Sequence, residues 1–151
     1  LHRSHDLSRI KMGDYIRTLT GHLFRSYGVD PNLISLELNV DDVEFDIDTG
    51  LTCGLIIDEL VSNCLKHAFI DDSGGTVHID LLDHVDGTFT LCVSDNGIGI
   101  PKDGVLNNPD SLGLELVTLL AEKLDGSTEL RSGAGTEWQI RFQQLQYSER
   151  V

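Results

Sequence analysis

Between Gly54 and Phe69 the chain reads GLIIDELVSNCLKHAF. At the helical advance of about 100° per residue, Ile57, Leu60, Val61, Cys64, Leu65 and Ala68 gather on one side. Glu59, Asn63 and Lys66 gather on the other, with His67 at the border. A carboxylate, a carboxamide, an ammonium and an imidazole stacked over about two turns are suited to holding a metal ion and a polyanion beside a base. The same four side chains are equally consistent with a solvated polar face, and this segment alone does not choose between the two.

Two glycine-rich segments downstream bear on the choice. Asp95-Asn96-Gly97-Ile98-Gly99 directly follows an apolar, β-branched run. An aspartate ending a strand can accept a hydrogen bond from an exocyclic amine such as that of adenine. Gly97 and Gly99 let a ligand approach the backbone closely. Asn-Gly is also a common turn pair, and in isolation that is the commoner explanation. Ser111-Leu112-Gly113-Leu114 opens a helical pattern. Free amides at a helix start, with a glycine beside them, suit a phosphate; a capped helix with a packing glycine has the same letters. Gly135-Thr136 brings a hydroxyl to the start of the last strand, where a turn and a β-branched residue would also be ordinary. The GxxxxGK[ST] loop is absent, and after Gly97 and Gly99 the next position of a GxGxxG pattern is Lys102. A P-loop and a dinucleotide fingerprint are therefore excluded. Neither GxSxG nor HExxH occurs.

The elements that must position these residues follow from periodicity. Asp14 is a candidate cap for a helix to about Tyr27, with Ile16, Leu19, Leu23, Phe24 and Tyr27 at helical spacing and Gly28 as its stop. ISLELNV (34–40) alternates as a half-buried strand, VEFDI (43–47) is a weaker one, and Asp48 or Thr49 is placed to cap the central helix. TVHIDLLDHV (76–85) and GTFTLCVSD (87–95) form a hairpin across Asp86-Gly87. Residues 102–110, KDGVLNNPD, carry breakers and no period and read as a mobile segment. Ser111 caps a helix to about Leu124, with Val117, Leu120, Ala121 and Leu124 inward and Gly126 as its stop. STELRS and TEWQIRFQQL close the chain as a second hairpin. The sum is α+β: a mixed, mostly antiparallel sheet with about three helices on one face.

At 151 residues the chain fits one domain with a real core. Its 25 acidic against 11 basic residues give a net charge of −14, which argues against binding nucleic acid or an anionic membrane surface. An anionic ligand would need a divalent cation and local positive groups to offset that field, and Lys66 and His67 are placed to help. Cys53, Cys64 and Cys92 are odd in number and lack CxxC spacing, so each is expected to pack as a small hydrophobe. No spanning apolar run or signal peptide is present, which makes an intracellular compartment the default expectation. The chain opens at Leu1-His2-Arg3-Ser4 without methionine, as an excised fragment would.

Taken in order, ELVSNCLKHAF, DNGIGIP, SLGLELV and GTEW resemble the N box, the two glycine boxes and the closing Gly-Thr of the sensor histidine kinase ATP-binding domain. That domain belongs to the GHKL superfamily and has the Bergerat fold. Each box is weak alone, and the ordered set over about residues 33–143 is specific. DLSRIKMGDYIRTLTGHLFRSYG, with LKHAF, is similar to the HWE-related subclass with a variant dimerisation domain; no F box is visible and the lid is short. The resemblance implies that Asn63 ligates Mg²⁺ and that Glu59 is the catalytic base or polarising group near the γ-phosphate of ATP. It implies that Lys66 and His67 lie near the phosphates and that Asp95 binds the adenine amine. Gly97 and Gly99 would shape the adenine pocket, Thr136 would support it through its hydroxyl, and Gly113 and Leu114 would lie at the phosphate end of the lid.

On this resemblance residues 1–12 are the tail of an upstream dimerisation and linker region, and 13–151 the catalytic domain. The γ-phosphoryl would pass to a histidine on that upstream domain, and a response regulator receiver domain would be the further partner. No direct membrane contact and a cytoplasmic location are implied. His2 and His5 lack the acceptor context, so the chain is expected to bind Mg-ATP or ADP without autophosphorylating alone. Other GHKL members remain as alternatives: an anti-sigma serine kinase, or ATPases of the gyrase, mismatch-repair or chaperone type, which normally use a longer lid and a lysine from a following domain. A degenerate interaction module is the alternative outside enzymes.

Overall fold

A computed structural model describes residues 9–68, 74–97 and 111–144. The element order is β1 (Arg9–Lys11), α1 (Met12–Ser26), β2 (Ile34–Val40), β3 (Glu44–Asp46), α2 (Ile47–Asn63), β4 (Gly75–Asp83), β5 (Thr88–Asp95), α3 (Ser111–Lys123), β6 (Ser127–Ser132) and β7 (Thr136–Gln143). A π-helical turn, Cys64–Ala68, continues α2. The predicted segments at 69–73 and 98–110, including the proposed lid, lie outside the described residues, as do 1–8 and 145–151.

The main sheet has five strands in the order β2-β4-β5-β7-β6. β2 and β4 are parallel and the other pairings antiparallel, which confirms the mixed, mostly antiparallel α+β expectation. A parallel pair cannot be closed by a tight turn, and α2 serves as the crossover between β2 and β4. Along β5 the residues Phe89, Leu91, Val93 and Asp95 are all buried and share one face. Their partners on β7 are Phe142, Ile140, Trp138 and Thr136; on β4 they are Asp83, Leu81, Ile79 and Val77. The inner face is thus apolar for most of its length and becomes polar at Asp95 and Thr136. At its far end Phe45 meets Phe89 and Phe142 edge-on, with centroids 4.9 and 5.8 Å away.

The helices cover that face. α1 buries Met12, Ile16, Thr20 and Leu23. It starts three residues earlier than expected, with Lys11 as its N-cap and Asp14 in the first turn, 3.3 Å from Arg17. Asp14 therefore acts on the helix dipole rather than as a cap. Gly28, at φ 63°, follows the helix end in the left-handed region. Tyr27, expected inward, is 41% exposed because it lies past the last helical turn.

α2 also begins earlier than expected, at Ile47 with Asp46 as its N-cap, so Asp48 and Thr49 fall within its first turn. It is buried around most of its girth, since β1 and α1 flank it. A side chain at Gly54 would overlap the Tyr15 phenol, and one at Gly50 would lie 2.7 Å from Ile10 Cδ1. β1 was not foreseen: three residues are too few to show a period, and it exists through antiparallel pairing with β3. At the end of α3 the left-handed residue is Asp125, at φ 54°, and not Gly126. Gly126 is needed because a Cβ there would lie 2.6 Å from the Arg141 carbonyl oxygen. Of the cysteines, Cys53 and Cys64 are buried. Cys92 departs from the expected apolar setting: it is half-buried on the outer sheet face, with Asp80 and Gln139 as cross-strand partners.

Candidate functional site at the end of the central strands

β5 delivers Asp95 to the polar end of the inner face, where it is 8% exposed. Its Oδ1 accepts the Gly97 backbone N–H at 2.8 Å, which is the turn chemistry expected of Asp-Asn-Gly. Its Oδ2 accepts the Cys64 thiol at 3.2 Å. A carboxylate offers about four acceptor positions, so two such bonds leave capacity for a ligand amine. The turn and ligand readings of this segment are therefore compatible, because the two oxygens divide the work. Asn96 is committed elsewhere: its Oδ1 accepts the Thr76 N–H at 2.8 Å and holds the turn against β4.

Thr136 is the register partner of Asp95 across β5 and β7 and is half-buried. The residue before it was missed as a structural requirement. A Cβ on Gly135 would overlap the Asp95 carbonyl oxygen and stand 3.0 Å from Asn96 Cα. A glycine at the mouth of a strand signals such a close approach, and only glycine lets β7 reach β5 here.

The central helix brings the second group. Glu59 and Asn63 lie one turn apart on α2 and are half-buried. The Asn63 Nδ2 is buried with no hydrogen-bond partner among the described residues. Buried amide groups are ordinarily paired; this nitrogen is a donor and not a metal ligand, so a cation would be taken by the side-chain oxygen of the same carboxamide. A carboxamide and a carboxylate one turn apart are the hard oxygen donors a divalent cation takes, and they fit one. Among the described residues no three or more His, Cys, Asp or Glu side chains stand together as a metal cage. A cation here would complete its shell with water and ligand oxygens, as magnesium does.

The helical projection holds through Asn63 and not beyond it. Over Cys64–Ala68 the helix bonds i to i+5 and winds more slowly. On an ideal projection Lys66 and His67 then lag their α-helical phase by roughly 50° to 70°. That carries His67 toward the line of Glu59 and Asn63 and turns Lys66 away from it; both are exposed. Cys64, still at α-helical pitch with its N–H bonded to the Leu60 carbonyl, lies over Asp95. Burial, then the Asp95 charge and hydrogen bond, push the Cys64 thiol upward, so it stays protonated and donates. Cys64 is the site residue read as plain core; its thiol gave no separate signal. Gly113 and Leu114 lie in the first turn of α3, and Gly99 lies outside the described residues.

Comparison with known proteins agrees with this geometry. Residues 50–146 match the family described as histidine kinase-, DNA gyrase B-, and HSP90-like ATPase. The blue-light-activated histidine kinase 2 of Erythrobacter litoralis is 31% identical over 104 residues, covering 68% of this chain and 30% of that protein. The sensor histidine kinase PdtaS of Mycobacterium tuberculosis is 35% identical over 100 residues, covering 64% of this chain and 20% of that protein. The chain thus spans less than a third of either relative. The histidine kinase domain of the Erythrobacter litoralis EL346 blue-light-activated kinase superposes with a TM-score of 0.80 at 26% identity, covering 89% of this chain and 62% of that one. With its ordered boxes, its mixed sheet and its buried Asp95, the chain belongs to the histidine kinase-, DNA gyrase B- and HSP90-like ATPase family and has the α+β fold of histidine kinase catalytic domains.

Proposed function

We propose that this chain is the ATP-binding catalytic domain of a two-component sensor histidine kinase. The observation that carries the proposal is Asp95. It is a buried carboxylate at a strand end, fixed through both oxygens and set beside Thr136, with acceptor capacity left for an adenine amine. Asn63 would hold Mg²⁺ through its side-chain oxygen, and Glu59, one turn before it, would act as the base or polarising group near the γ-phosphate. Bound Mg²⁺ would neutralise charge on the phosphates of ATP. The chain's own residues then supply position: Asp95 and Thr136 orient the base, Gly97 and Gly99 admit it, and His67 meets the phosphate side together with Gly113 and Leu114, while Lys66, turned from the line of Glu59 and Asn63, adds positive charge nearby. Positioning and charge neutralisation are the main work of phosphoryl transfer.

The phosphoacceptor histidine belongs to an upstream dimerisation region. Residues 1–12 lead in from it, β1 being where that lead-in joins the domain, and 13–151 form the catalytic domain. A response regulator receiver domain is the downstream partner, and the reaction takes place in the cytoplasm. Among the described residues no helix is long and apolar enough to cross a membrane.

Calorimetric titration with ADP and a non-hydrolysable ATP analogue, with and without Mg²⁺, tests the reading. Wild type is expected to bind. Asp95→Asn should weaken binding by about tenfold or more, the value of a hydrogen bond to a charged group. Asn63→Ala should lose chiefly the Mg²⁺-dependent part. Absence of adenine-nucleotide binding by wild type under every condition would sink the proposal. Alkali-stable label on this chain alone from γ-labelled ATP would contradict the upstream acceptor.

A further inference from the structure

We infer that Cys64 is a positioning residue for adenine recognition, acting through the Asp95 carboxylate. The inference rests on the nucleotide reading given above and concerns which part of this chain makes Asp95 competent.

An aspartate at a strand end has two free side-chain torsions, and a carboxylate that swings loses its aim. Here Oδ1 is tied to the Gly97 N–H at 2.8 Å, which fixes one oxygen to the turn. That single bond still allows the whole carboxylate to tilt about the Oδ1 contact through coupled changes of its two torsions, and the Cys64 thiol at 3.2 Å from Oδ2 restrains the tilt. Both residues are 8% exposed, so water does not readily replace either partner. The thiol reaches Asp95 because Cys64 continues the buried stripe of Leu60 one turn on, still with α-helical dihedrals and its N–H bonded to the Leu60 carbonyl. It is also a donor, so the oxygen it meets must accept. With one donor on each oxygen the carboxylate plane is set, and its remaining lone pairs face a ligand as acceptors. Such a site favours a base carrying an amino group at the ring position it meets and disfavours one carrying a carbonyl oxygen there. Cys64 therefore contributes to the preference for adenine over hypoxanthine without touching the base.

The test compares wild type, Cys64→Ser and Cys64→Ala. Affinities for ADP and inosine diphosphate are measured by displacement of a fluorescent ADP analogue, with thermal unfolding alongside. Cys64→Ala should weaken ADP binding by about threefold to tenfold, the effect of one hydrogen bond. Inosine diphosphate should change less, so the ratio of the two affinities falls. Cys64→Ser, which keeps a donor, should stay within about twofold of wild type in both affinity and ratio. Equal loss for both nucleotides in Cys64→Ala, or no loss for either, overturns the inference. If Cys64→Ala does not fold, Cys64→Ser decides alone: a folded serine variant that loses the preference overturns it, and one that keeps the preference supports it. A wild type that binds neither nucleotide defeats the nucleotide reading itself. A wild type that binds ADP while Cys64→Ala keeps its preference defeats only the role of Cys64.

Discussion

Replacing Gly135 with alanine adds one methyl group at the junction of β5 and β7. The added Cβ would overlap the Asp95 carbonyl oxygen and lie 3.0 Å from Asn96 Cα and 3.1 Å from the Asp95 carbonyl carbon. All three are backbone atoms, so no rotamer change relieves the contact and the strands must part where Asp95 pairs with Thr136. Overpacking of this kind costs about 1–3 kcal/mol, and a backbone-only clash belongs at the upper end. For a chain of this size about 3 kcal/mol corresponds to a fall in Tm of roughly 8–12 °C. Gly133, two residues earlier in the same turn, is the matched control, since a Cβ there meets nothing within 4 Å. Gly133→Ala should stay within about 1 kcal/mol of wild type. Thermal unfolding followed by circular dichroism compares the three proteins at neutral pH, and ADP titration should show Gly135→Ala weakened as well, because Asp95 is displaced. Matching midpoints for the two alanine variants would refute the close-approach reasoning.

Three further outcomes follow from the packing and the titrating groups. Phe45→Ala removes the ring that meets both Phe89 and Phe142 and should cost about 3–5 kcal/mol in urea unfolding; a loss under about 1 kcal/mol would mean that the aromatic cluster is not structural. Burial, and next the Asp46 carboxylate, push the Cys53 thiol up to about 12 from 9.0, so its contribution to stability is complete below pH 9 and is lost as pH rises toward 12. Stability of wild type should therefore fall more steeply than that of Cys53→Val between pH 9 and 11, by about 1.4 kcal/mol per pH unit, and parallel curves would exclude the effect. The Thr88 hydroxyl, at 2.6 Å, and the Thr88 N–H, at 3.0 Å, hold the Asp86 carboxyl below its usual 3.8. That stabilisation is present above pH 3.8 and lost as pH falls below it, so Asp86→Asn should melt below wild type at pH 7 and level with it at pH 2.

Elements with a sustained period were readable from the letters. Ile34–Val40 alternates through all seven residues and is the strand expected. Val117, Ala121 and Leu124 recur at helical spacing and are buried. What escaped depends on contacts distant in sequence. β1 is only three residues and owes its existence to β3, 35 positions on, to which Arg9 also donates a guanidinium hydrogen bond through the Glu44 carbonyl. The early start of α2 reflects the same ribbon, which ends at Asp46 and passes straight into the helix. The candidate site was legible where chemistry is carried by residue type, as at Asp95 and Asn63. It was illegible where an ordinary residue acquires its part from a neighbour, as Cys64 does from Asp95 and Gly135 from the β5 backbone. The change of helical pitch after Asn63 could not be seen, because a periodicity argument assumes a constant pitch.

That change of pitch alters what an insertion or deletion would mean. A wider turn accommodates one more residue than an α-helical turn covering the same arc. Loss of one residue within Cys64–Ala68 would let the segment close to α-helical pitch and leave the helix intact, so a gap there would look harmless in an alignment. The same loss ahead of the basic pair would leave His67 near the line of Glu59 and Asn63, now three places after the asparagine instead of four. Position counted from the asparagine is therefore an unsafe guide to equivalent residues in relatives that differ in length at this turn, and equivalence there is better assigned by angle than by ordinal number.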